Sequence, residues 1–165
     1  MAAMPKDLPA NWSVKVEIEI PFHDVDVLEI AWHGHYAKYF EVARCKLFDQ
    51  LDYNYPEMRD SGFAWPVIDM HIRYVQPLLF RQKVTVTAWV AEWENRLRIQ
   101  YLITDSATGT RLTKGHTDQV AIKIPSKELL LASPSILLEK LGLDKSGAAE
   151  SDVVKSDVVK SETAS

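Results

Sequence analysis

Two acids stand two residues apart, Asp24 and Asp26, in a loop between a strand-like run and a long helical pattern. A carboxylate beside a helix start is suited to acyl transfer. It can supply a base or a nucleophile while the unpaired N–H groups of the first helical turn stabilise an oxyanion. The stretch from Pro21 to Arg44, PFHDVDVLEIAWHGHYAKYFEVAR, also carries His33 and His35, but a His-x-His pair without further placed ligands is a weak metal signal, and no metal or cofactor is expected. Cys45, the only cysteine, falls within the helical pattern, which excludes an intramolecular disulfide and a multi-cysteine zinc site. There is no Gly-x-Ser-x-Gly elbow, so a carboxylate is the natural centre of any acyl chemistry.

Elements on both sides must position that loop. Before it, Val14, Val16, Ile18 and Ile20 alternate with Lys15, Glu17 and Glu19, the pattern of a strand with one wet face, and Pro21 ends it. After it, Tyr36, Tyr39, Phe40, Ala43, Leu47, Phe48 and Leu51 recur at three- and four-residue steps. That spacing predicts a helix from about Gly34 to Asp52, roughly 28 Å long at ~1.5 Å per residue. Glu41 with Arg44 and Lys46 with Asp49 are spaced to pair on its wetter side. From Pro66 onward strand signals return: Ile68 to Tyr74 alternates until Pro77, Arg81 to Trp93 is β-rich, Arg96 to Thr104 alternates again, and Thr110 to Ile124 is a further β-like run. Turns at Glu94-Asn95 and Ser106 to Gly109 predict an antiparallel meander. Ser133 to Leu141 has a weak helical pattern. One long helix between a first strand and a run of others makes an α+β domain, most simply a sheet wrapped around the helix.

Composition bounds the rest. With 165 residues, 47% apolar and 25% charged, the chain is large enough for one globular domain with its own core. A formal net charge of −4 without a basic block makes nucleic acid an unsuitable partner. No run resembles a signal peptide or approaches the ~18 apolar residues of a membrane span, so a cytoplasmic protein without membrane insertion is expected. The unit SDVVK occurs twice near the end, and such a polar repeat cannot bury enough surface to offset ordering entropy. The expected division is therefore a domain over residues 1–142 and a disordered polar tail over 143–165.

The run from Asp24 to Arg44 resembles the signature of hotdog-fold thioesterases of the 4-hydroxybenzoyl-CoA thioesterase type, including the short-chain acyl-CoA thioesterases associated with the Tol-Pal system. The shared features are an Asp-x-Asp loop, an apolar-aromatic-His step at Ala31-Trp32-His33, a tyrosine three residues on at Tyr36, and Glu-x-Ala-Arg at Glu41 to Arg44. The resemblance implies a hotdog fold, an antiparallel sheet wrapped around one long central helix, with active sites between paired subunits, hence a homodimer or homotetramer. It implies that Asp26 is the catalytic carboxylate and Asp24 a supporting one. It places the His33 backbone N–H where the family polarises the thioester carbonyl. It also implies that the side chains of His33 and Tyr36 line the site; Trp32 is either core or acyl-pocket lining. One departure stands out: the family usually has glycine at the position of Glu29, so this side chain is a candidate for altering the loop path and acyl specificity.

The implied activity is hydrolysis of an acyl-CoA or acyl-carrier-protein thioester. Asp26 either attacks the carbonyl to give a mixed anhydride or activates water. Two alternatives remain: a dehydratase of 3-hydroxyacyl thioesters, which would pair His33 with Glu29 or Glu41, and a non-catalytic acyl-binding module. Coenzyme A would need cations for its phosphates, for which Arg73, Arg81, Lys83, Arg96 and Arg98 are candidates. Asp69, His71, Arg73, His116 and Asp118 lie at strand positions suited to a subunit interface or a solvated face.

Overall fold

The computed structural model describes residues 3–143, so the tail expected from residue 143 onward lies, apart from Leu143, outside the described residues. The chain runs β1 (Ser13–Glu19), α1 (Tyr36–Gln50), α2 (Tyr55–Asp60), β2 (Phe63–Ala64), β3 (Val67–Tyr74), β4 (Lys83–Glu92), β5 (Leu97–Asp105), β6 (Arg111–Gln119), β7 (Ile122–Lys123) and α3 (Ser135–Lys140). Short 3-10 turns at Phe22–Asp24 and His33–His35 bracket the acidic loop. Among the described residues no helix is long and apolar enough to cross a membrane.

Five strands form one antiparallel sheet in the order β1-β4-β5-β6-β3, and β2 pairs with β7 separately. The expected meander holds for β4, β5 and β6, which are joined by short turns. It does not extend to β3, which crosses to the far edge and pairs with β6. The reason lies in residues 75–82, too long and too Pro-interrupted for a hairpin. This connection instead runs beside the acidic loop, where Ala31 N–H donates to the Leu78 carbonyl (2.8 Å), Leu79 bridges Ile30 and Arg81 N–H donates to the Ile20 carbonyl (3.0 Å).

The sheet curves around α1, giving the α+β hotdog architecture. All seven residues of the helical stripe, from Tyr36 to Leu51, are buried. Each large apolar side chain so buried contributes roughly 1.5–3 kcal/mol. Phe40 stacks on Tyr101 of β5, ring centroids 4.3 Å apart, and reaches β6 at Gly115. There a Cβ would lie 2.7 Å from the Phe40 ring and 2.3 Å from the His71 carbonyl oxygen, so a side chain would force strand and helix apart. The Glu41–Arg44 and Lys46–Asp49 pairs form at 3.9 Å, but Arg44 is not on the wet side as expected. Its guanidinium is buried, with one donor bond to the Tyr55 hydroxyl at 3.3 Å.

Candidate active site

An open cleft of about 450 Å³ lies where the acidic loop, the start of α1 and the connection after β3 meet. Asp26, Leu28, Ile30, Ala31, His33 and Tyr36 form one side, and Tyr74, Val75, Gln76 and Pro77 the other. The crossing of β3 to the sheet edge supplies this second wall, which no motif in the sequence announced.

Asp26 is half-buried on the cleft wall. Its loop closes as a turn, with Glu29 N–H donating to the Asp26 carbonyl (3.0 Å) and Asp26 N–H to the Ile30 carbonyl (2.9 Å). Within that turn the Leu28 N–H donates to Asp26 Oδ1 at 2.8 Å, while Oδ2 has no hydrogen-bond partner among the described residues. One oxygen is thus held and the other is free.

Asp24, two residues earlier, has the opposite environment. It is 1% exposed, and its carboxylate accepts hydrogen bonds from Lys38 Nζ and from the Tyr39 hydroxyl (2.7 Å). His23 and His35 stand 3.6 and 3.9 Å away. Burial alone would push the Asp24 carboxyl up, but the Lys38 and Tyr39 hydrogen bonds with the charges of Lys38 and His35 outweigh it and hold it below its ordinary value. Burial and the neighbouring carboxylate raise Tyr39, which stays a proton donor. Asp24 does not line the cleft. Its carbonyl accepts the Trp32 N–H at 2.9 Å and so anchors the approach to the helix.

The helix start opens into the cleft without a side-chain cap. His35 N–H bonds back to the Trp32 carbonyl (2.9 Å), whereas the N–H groups of His33 and Gly34, in the first turn, make no hydrogen bond among the described residues. Tyr36 is buried with its hydroxyl accepting the Leu78 N–H at 3.3 Å, and burial raises its pKa. Tyr74, absent from the sequence-based site, lines the opposite wall. Its ring meets Tyr36 edge-on at 4.7 Å and its hydroxyl donates to the His33 carbonyl at 2.8 Å. Only its place in an alternating strand was visible in the sequence, and strand alternation does not say which residue reaches a helix start.

The other expected site residues divide. His33 and Tyr36 join Asp26 in the cleft, while Trp32 and Glu29 are exposed and outside its lining. Trp32 lies across the turn, its ring 5.0 Å from His33 and 5.3 Å from His35. Glu29 adopts φ 60, the left-handed conformation that glycine takes without strain, so the loop keeps a glycine-like path despite its side chain. Glu41 is exposed on α1, away from the cleft.

On the sheet's other face Asp118 is buried rather than solvated. Arg98 clasps it with two bonds of 2.6 and 2.7 Å and Arg96 adds a third contact at 3.0 Å, so these two cations are committed to it. Asp69, His116 and Asp118 have ligand atoms within 4.8 Å of one another. With both arginines on Asp118, the group is poorly suited to a further cation. Arg73, Arg81 and Lys83 are exposed.

The sequence profile described as the thioesterase-like superfamily matches residues 20–141. The chain belongs to this superfamily. YneP of Bacillus subtilis (strain 168), provisionally named an acyl-CoA thioesterase, is 32% identical over 79 residues, which is 48% of this chain and 57% of that protein. The match thus spans little more than half of that relative's length. Among solved structures, a DHNA-CoA thioesterase from Staphylococcus aureus has a TM-score of 0.66 at 29% identity, covering 72% of this chain and 80% of that one. Slr0204, a 1,4-dihydroxy-2-naphthoyl-CoA thioesterase from Synechocystis, has a TM-score of 0.70 at 15% identity over 79% of this chain and 96% of its own, a likeness of fold.

Proposed function

We propose that this superfamily member hydrolyses an acyl thioester, of coenzyme A or of an acyl carrier protein, to the free acid and thiol, with Asp26 as the reacting carboxylate. The observation that carries the reading is the state of that side chain: one oxygen is held by the Leu28 N–H while the other, on the cleft wall, has no partner among the described residues, and neither do the His33 and Gly34 N–H groups at the nearby helix start. Membership of the superfamily and the thioesterase names of its relatives support the same reaction class.

In this reading the thioester carbonyl sits at the start of α1, where the N–H groups of His33 and Gly34 take up the charge that develops on its oxygen. Losing one such donor typically costs ~3–4 kcal/mol of transition-state stabilisation. The free oxygen of Asp26 either attacks the carbonyl carbon, expelling the thiolate and leaving a mixed anhydride for water to cleave, or takes a proton from the attacking water. A thiolate needs little acid assistance to leave. The dehydratase alternative has less support, because neither Glu29 nor Glu41 lines the cleft with His33.

The working unit is taken as a homodimer or homotetramer of the domain over residues 1–142. Strand β3 is an edge strand exposed along almost its whole length, with Val67, Ile68, Met70 and Tyr74 prominent, and such an edge is a ready surface for a second copy. A thiol-release screen over acyl-CoA and acyl-carrier thioesters tests reaction and carrier together. Turnover of at least one thioester that is lost in Asp26→Asn is expected, and no release from any of them would remove the hydrolase reading. Light scattering at micromolar concentration should give at least a dimer, and a monomer would contradict the assembly.

A further inference from the structure

We infer that Tyr74 is a positioning residue that sets the oxyanion donors at the start of α1, an inference that rests on the proposed thioester hydrolysis at this site. The helix begins without a side-chain cap, so its first turn must be held by other means. Two successive peptide units carry the unpaired N–H groups of His33 and Gly34. The first, between Trp32 and His33, is fixed from within the turn, because the Trp32 carbonyl accepts the His35 N–H. The second, between His33 and Gly34, is fixed from outside, because its carbonyl accepts the Tyr74 hydroxyl at 2.8 Å.

A peptide unit is planar, so a bond that holds the His33 carbonyl oxygen also sets the direction of the Gly34 N–H in the same plane. Trp32 packs against the same turn. A Cβ built on Gly34 would lie 2.1 Å from the Trp32 ring, so the indole sits directly against the Gly34 backbone. Tyr74 thus fixes the carbonyl end of the His33–Gly34 peptide while the Trp32 ring covers the Gly34 Cα. Tyr74 can serve in this way because its own ring is fixed edge-on against Tyr36, whose hydroxyl is tied to the Leu78 N–H. Tyr74 is half exposed, and its phenol, shifted upward by the part that is covered, keeps its proton and remains a donor at neutral pH. Donors aimed in advance stabilise a developing oxyanion without reorganisation during the reaction, and that is the benefit the hydroxyl confers.

Tyr74→Phe removes the hydroxyl and keeps the ring against Tyr36. In the full-length protein, with a thioester that the wild type hydrolyses, kcat should fall about tenfold, the upper range for one hydrogen bond, while KM stays within about twofold and the melting temperature hardly moves. In protein labelled with 15N-glycine the Gly34 amide resonance should shift or broaden more than those of the other glycines. A kcat within about twofold of wild type, or a higher KM at unchanged kcat, would make Tyr74 only a wall of the cleft and overturn the inference. If the wild type hydrolyses no thioester, the reading of the site fails by itself, and the Gly34 resonance still decides whether Tyr74 holds the turn.

Discussion

Asp24 and Asp26 are the same residue type two positions apart in one loop, yet the fold gives them opposite physical states. Asp24 is enclosed, with Lys38 and Tyr39 bonded to its carboxylate and two histidines nearby. Asp26 keeps one oxygen, on a cleft wall, without a partner among the described residues. A carboxylate saturated with donors is a poor base and a poor nucleophile, since its lone pairs are already engaged. It serves instead to tie the loop to α1. The difference shows that a paired-acid motif need not mean paired acids in the chemistry.

The largest expected effect separates the two directly. Asp26→Asn keeps the side chain's shape and removes its basicity, so turnover should fall at least ~100-fold with the melting temperature nearly unchanged. Asp24→Asn should do the reverse, lowering stability by about 1–2 kcal/mol in chemical denaturation through weakened charge-assisted bonds, with turnover within about tenfold of wild type. If Asp24→Asn abolished turnover while Asp26→Asn left it intact, the assignment of roles would be inverted.

A second contrast follows from protonation. Asp24 is held below its ordinary value of 3.8 in the folded protein, so the stability it contributes is fully present above about that pH. It is lost as pH falls through the lower folded value. Melting curves taken on acidification below about pH 4 should therefore drop more steeply for the wild type than for Asp24→Asn. Parallel curves would mean that the Lys38 and Tyr39 bonds add no net stability.

The smallest effect concerns the turn that presents Asp26. Because Glu29 occupies the left-handed region at φ 60, Glu29→Gly should stabilise the protein by about 1 kcal/mol by relieving backbone strain. Its side chain is outside the cleft lining, so the ranking of acyl substrates should stay as in the wild type. A changed ranking with no gain in stability would show that the carboxylate reaches the acyl path after all.

Local patterns carried much of this molecule. The stripe from Tyr36 to Leu51 specified a buried helical face because helical periodicity is a property of neighbouring residues, and β1 was equally legible from its alternation. The Asp-x-Asp loop and the His33 and Tyr36 steps were enough to point to a superfamily and a reaction class. Arg44 was misplaced on the wet side because an arginine's exposure depends on what lies above it, here Tyr55. The position of β3 was out of reach for a related reason, since alternation defines a strand but not its neighbour. Its pairing with β6 carries Tyr74 to Pro77 across to the acidic loop and completes the cleft.

The sequence by itself determined the acidic loop as the place for chemistry and the course of the long helix and the five main strands, because those depend on residue type and on contacts within a few positions; α2, in a stretch rich in turn-forming residues, was not legible in it. Only the tertiary structure decided that Asp24 is enclosed while Asp26 is free, that Glu29 keeps a glycine's backbone path, and that Tyr74 reaches the His33 carbonyl. Each of these depends on groups brought together by the fold, and burial and hydrogen bonding act between such groups wherever they stand in the chain.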